Sequence, residues 1–195
     1  MTENLAFQEP YATAWGAIGY LTTSWAVFES TLFQTLRESI SGVPNGSDIS
    51  MILVNGLRYA DATKTLRNVL RASGLSESTR SRIDEILRRA DQVKKIRDIV
   101  AHKDCIAGDN GSLLFRFWNQ RNSQAPQWAQ YTVDEIKLCA MQARMLSFAV
   151  TDTFTGIHPG WRDALLDTPL LPKAPQEDPT RYIPTQSNPP EPSRA

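Results

Sequence analysis

The stretch "IRDIVAHKD", Ile96–Asp104, sets an arginine, a carboxylate and one of the chain's two histidines at the end of an apolar-periodic run. Reading backward, Ile86, Ala90, Val93, Arg97 and Val100 recur at spacings of 4, 3, 4 and 3. That is one face of a helix, predicted over about Glu77 to Lys103. Reading forward, the texture changes. "DCIAGDNGSLLFRFWNQ" (104–120) holds short apolar runs around a Gly108–Gly111 turn signal, which predicts a β-hairpin. "QWAQYT" (127–132) offers a third short strand. The stretch is thus a helix end feeding a small sheet.

Working outward, three more helices are predicted. Trp15, Ile18, Thr22, Trp25, Glu29, Leu32 and Leu36 alternate spacings of 3 and 4 within residues 12–40. "SGVPNG" (41–46) ends that run. A second helix spans about Asp48 to Ala72, capped by Ser47 or Asp48, with Ile52, Tyr59, Leu66 and Leu70 near one face. "SGLSES" (73–78) separates it from the third. Thr132 followed by Glu135 is a capping box. It opens a fourth helix, about Val133 to Phe154, with Val133, Ile136, Ala140, Ala143, Ser147, Val150 and Phe154 in register. Short connections point to antiparallel neighbours. The fold class expected is all-α, an antiparallel four-helix bundle with a small β-hairpin between helices 3 and 4. Nine of the twelve prolines fall from Pro159 onward. The expected division is a helical domain over residues 1–158 and an extended or disordered Pro-rich tail over 159–195.

Composition narrows the function. At 195 residues, 41% hydrophobic and 22% charged, the chain is an ordinary globular size and mix. It lacks the roughly 20-residue apolar run of a membrane span. Its first residues lack the basic start and apolar centre of a signal peptide. Both readings imply a cytoplasmic protein without membrane contact. Cys105 and Cys139 give neither a disulfide framework nor a metal site, and read as small core residues. Net charge is zero but unevenly spread: residues 64–103 hold eleven bases and five acids. Such a basic band is either a solvated helix surface or an attractor of phosphate.

Two charges break the apolar stripes. Glu29 and Arg97 both take inward registers, which is costly unless each finds a partner. They are expected to pair with each other or to lie at the mouth of a shared cleft. His102 follows Arg97 by five residues, roughly 140° around an ideal helix. Asp98 precedes His102 by four, so it is placed to orient the imidazole. Lys94 and Lys103 flank the cluster as further cations and are candidate substrate-binding residues. A histidine supplies general acid or base chemistry, and an arginine holds and stabilises a phosphate. Together they suit attack of an RNA 2′-OH on its own phosphodiester, without metal or cofactor. One such histidine per chain serves one proton transfer, so a symmetric dimer would supply the second. The sequence offers no Gly-x-Ser-x-Gly elbow and no Gly-rich phosphate loop. His158, before a proline at the edge of the tail, reads as uninvolved. Arg116, Trp118 and Arg121 read as hairpin side chains packed on the helices, with RNA contact as the alternative.

"RDIVAH" resembles the Arg–polar–three residues–His motif of HEPN domains (higher eukaryotes and prokaryotes nucleotide-binding). Its place near the end of the third long helix is similar too, as is "GYLTTSWAVFESTLFQTL" as an opening helix with an inner acidic residue. The resemblance covers about residues 12–155. It implies a metal-independent endoribonuclease, a toxin or anti-phage effector, with motifs facing each other in a homodimer. Cleavage would leave a 2′,3′-cyclic phosphate and a 5′-OH. Arg97 and His102 would be catalytic, Asp98 the polar second residue and Glu29 supporting. The partners implied are RNA, a second copy and an antitoxin or inhibitor protein. The resemblance equally admits a non-catalytic module that binds nucleotide or builds a complex.

Overall fold

The computed structural model describes residues 9–41, 54, 56–72, 76–107, 112–117, 127–155, 160, 164, 165, 167 and 168. The predicted Ser47/Asp48 cap, Ile52, the Gly108–Gly111 turn, Trp118, Arg121, His158 and residues 169–195 lie outside them. The described chain is mainly helical, with a small three-stranded antiparallel sheet before the last helix. In order these are α1 (Glu9–Ser41), α2 (Tyr59–Ala72), α3 (Glu77–His102), β1 (Asp104–Ala107), β2 (Ser112–Phe117), β3 (Gln127–Thr132) and α4 (Val133–Thr155). No described helix is long and apolar enough to cross a membrane.

α1 runs 33 residues, about 50 Å at 1.5 Å per residue. Its core stripe is Ala14, Ala17, Ile18, Leu21, Trp25, Phe28, Leu32 and Leu36. This departs from the predicted register. Trp15 is 59% exposed and Glu29 only half-buried, because Leu21 and Phe28 occupy the inward positions beside Thr22 and Glu29. Thr22 spends its hydroxyl on the Ile18 carbonyl at 2.9 Å. The buried face of α1 packs most extensively on α4. Trp25 and Phe28 meet Tyr59 of α2 in an aromatic cluster with centroids 5.1–6.3 Å apart. Such tilted pairs add to the large area these rings bury.

The predicted second helix is interrupted: Val54 is helical, but the run breaks at Gly56 before α2. Gly56 takes φ 99°, a left-handed backbone through which an α-helix does not continue, so the helical run starts at Tyr59. Tyr59, Leu66 and Leu70 are buried as expected. Two polar ties join α2 to α3: Tyr59 Oη donates to Asp91 at 3.0 Å and Arg67 Nε to Asp84 at 3.0 Å. Burial, reinforced by the Asp91 carboxylate, pushes the Tyr59 phenol far above its ordinary range.

The three strands form a meander in the order β1-β2-β3, with Asp104 opposite Arg116 and Leu113 opposite Tyr131. The alternation puts Leu113, Phe115, Ala129 and Tyr131 inward as the sheet's buried face. The predicted hairpin is β1–β2, and the "QWAQYT" segment does supply a third strand. The capping box stands as read: Thr132 N–H donates to Glu135 at 2.7 Å, and Glu135 N–H to Thr132 Oγ1 at 3.1 Å. Inward positions of α4 from Ile136 to Val150 are buried against α1 and α3.

Drawn after residue 158, the tail boundary cuts into the folded unit. Leu165 is 0% exposed and belongs to the core, and Ala164, Leu165 and Thr168 form a short helical turn. Arg89 holds that turn, donating from Nη1 to the carbonyls of Leu165 (2.6 Å) and Thr168 (2.7 Å).

Candidate active site at the end of helix α3

α3 begins at an N-cap, Ser76, whose hydroxyl accepts from Thr79 N–H at 3.2 Å. It ends at His102. Lys103 turns extended (φ −111°, ψ 155°) while its N–H still reaches the Ile99 carbonyl at 3.1 Å. One residue on, Asp104 enters β1 and pairs with Arg116 at 2.9 Å. The sheet therefore fixes where the helix stops, and leaves His102 exposed on its last turn.

Arg97 is not the core residue its spacing implies. Ile96 takes the buried position beside it, and Arg97 flanks the stripe with a 22% exposed side chain. From there its Nη1 donates to Asp98 Oδ1 at 2.9 Å and lies 3.4 Å from His102 Nε2. A guanidinium can only donate, so any hydrogen bond in this contact runs from Arg97 to the imidazole nitrogen. Arg97 Nε is buried without a hydrogen-bond partner among the described residues.

Asp98 departs from its expected role. It bonds Lys94 and Arg97 rather than His102, because these cations come first to its oxygens. Burial alone would raise its carboxyl, but the hydrogen bonds from Lys94 and Arg97 outweigh that and hold it below the usual carboxylate range. Arg97, not Asp98, is the residue that touches the imidazole. The structure thus brings together Lys94, Arg97, Asp98 and His102. Lys103 is exposed beside them.

Glu29 is not among them. It lines a separate groove of about 540 Å³ with Phe33, Arg37 and Leu57, and makes no ion pair with Arg97. The physical reason is the register of α1, which turns Glu29 toward the Val54–Leu57 turn. Nor are the thiols reactive groups: Cys139 is fully buried and pushed up to about 12 by that burial, and Cys105 is raised for the same reason. Among the described residues no three His, Cys, Asp or Glu side chains gather as metal ligands would.

No family model, curated protein or solved structure matches the chain. The site must be read from its own chemistry. It offers an exposed imidazole, a permanent cation in contact with it, and a carboxylate that fixes the cation. Sequence reasoning missed Arg89. It sits at 7% exposure one residue from Ala90 of the core stripe, and four residues after Glu85, to which it donates at 3.1 Å. That i,i+4 pair was the only local sign of it.

Proposed function

We propose that the chain is a metal-independent endoribonuclease of HEPN type, in which the four helices form an antiparallel bundle and two copies face their Arg97–His102 ends toward each other. The observation that carries this reading is the 3.4 Å approach of Arg97 Nη1 to His102 Nε2 on an exposed helix end. An RNA phosphate competes for Arg97, and taking it releases the Nε2 lone pair. His102 then removes the 2′-OH proton as the oxygen attacks phosphorus, and the P–O5′ bond breaks. The partner subunit's His102 protonates the departing 5′-oxygen. The products are a 2′,3′-cyclic phosphate and a 5′-OH, with the phosphorane charge met by arginine. An effector of this chemistry needs an inhibitor protein to spare its host's RNA. The test is incubation of the purified protein with a panel of RNAs in EDTA. Cleavage by the wild type and its loss in His102→Ala support the proposal. Equal cleavage by both proteins, or none by the wild type freed of any co-purifying partner, refutes it.

One observation favours a second reading, a non-catalytic phosphate-binding or assembly module. Asp98 already neutralises part of the charge of Lys94 and Arg97. That reading expects RNA or nucleotide binding with no cleavage in any variant.

A further inference from the structure

Of the eleven bases between residues 64 and 103, Arg67, Arg88, Arg89, Lys94 and Arg97 are held by carboxylates. Arg71 and Arg80 are different. Neither has an ion pair or side-chain hydrogen bond among the described residues, yet both line one groove. That groove, about 410 Å³, lies between the end of α2 and the start of α3. Arg67, Leu70 and Arg71 come from α2, and Glu77, Arg80, Ser81 and Asp84 from α3. Asp84 is engaged by Arg67, so among the described residues Glu77 is the one acid there with no cation of its own.

With Arg67 committed to Asp84, Arg71 and Arg80 bring two uncommitted guanidiniums to one groove from two helices, and planar Arg donors match phosphate oxygens. Among the described residues the lining holds no aromatic ring on which a base stacks. Its chemistry therefore favours the backbone of a nucleic acid over its bases. Asp84 and His102 are 18 residues apart, five whole turns, so the groove edge and the histidine fall on one line along α3. Arg80 and His102 stand about 33 Å apart at 1.5 Å per residue. A stacked strand at roughly 3.4 Å per nucleotide covers that in about ten nucleotides.

We propose that the α2–α3 groove binds the phosphodiester backbone of single-stranded RNA, a remote contact for the strand held at Arg97 and His102. This rests on the RNA reading above for its substrate, but its test does not need cleavage. In a His102→Ala background, fluorescence anisotropy is measured with labelled single-stranded RNA of about 16 and about 4 nucleotides. Adding Arg71→Ala and Arg80→Ala together weakens binding of the long strand about tenfold at low salt and lowers the log–log salt slope by about 1.4. The short strand, unable to span both places, binds alike in both proteins. Arg71→Lys with Arg80→Lys keeps most of the affinity, which separates charge from fold. Arg144→Ala, on exposed α4 surface, changes nothing. An unchanged affinity and slope in the double Ala variant overturns the groove, as does absence of RNA binding in the parent. RNA cleavage with an indifferent groove removes this inference alone. Groove-dependent binding without any cleavage removes only the nuclease.

Discussion

Arg89 and Arg97 stand on the same helix, eight residues apart, and their guanidiniums meet different surroundings. Arg89 is 7% exposed and donates to the Glu85 carboxylate and to two main-chain carbonyls of the 164–168 turn. Arg97 flanks the core, shares Nη1 between Asp98 and an imidazole, and leaves Nε without a partner among the described residues. A buried cation ringed by fixed acceptors secures a chain segment. A cation at a helix end, beside a group that exchanges protons, keeps capacity for an incoming anion. Position in the stripe says nothing of this difference; the acceptors do.

The comparison breaks most visibly in activity. His102→Ala is expected to cut RNA cleavage by about 10²–10⁴-fold, with Arg97→Ala comparable, while thermal melting of Arg97→Ala stays within about 1 kcal/mol of wild type. A large loss of stability in Arg97→Ala would make it a second Arg89. Arg89→Ala should behave in the opposite way, losing about 3 kcal/mol in urea unfolding because Glu85 and two carbonyls lose their donor. Leu165→Ala should cost about 2–3 kcal/mol by emptying the core position under the same turn. If the two sites act as one clasp, the double variant loses less than the sum of the single losses.

The smallest effect is acidification. Hydrogen bonding from Arg88, with Arg89 adding to it, holds Glu85 below the usual carboxylate range, and Asp98 is lowered likewise by Lys94 and Arg97. A depressed carboxyl stabilises the fold above its ordinary pKa, and that contribution disappears as pH falls through the folded value. Asp98→Asn should therefore flatten the loss of stability below about pH 4, by less than about 1 kcal/mol once its exposure to solvent is discounted.

Local signals were legible and distant ones were not. Thr132 and Glu135 lie three residues apart, so their reciprocal bonds could be read directly from the sequence. The stripe of α4 was equally plain. In α1 large apolar residues surround the helix, with Trp15, Tyr20 and Val27 outside, and this blurs the phase that separates Phe28 from Glu29. A lone Gly56 reads as a tolerated helix glycine until its φ is known. At the site, the residues were found but not their bonding. On an ideal helix Arg97 and His102 point roughly 140° apart, yet a long guanidinium side chain reaches the imidazole. Beyond its local pair with Glu85, the clasp made by Arg89 was invisible because the two carbonyls it holds lie 76 and 79 residues away, in a stretch whose prolines disguised Leu165.

The pairing of α1 with α4 carries a consequence for how the molecule is made. About 90 residues separate the two helices, while α2 and α3, and the three strands, are sequence neighbours with short loops to close. The neighbours can form early; the dock of α1 on α4 is the non-local step that sets the folding rate. Until it happens the inward stripe of α1 lacks the helix it packs on most extensively, and a newly synthesised chain is then most open to aggregation.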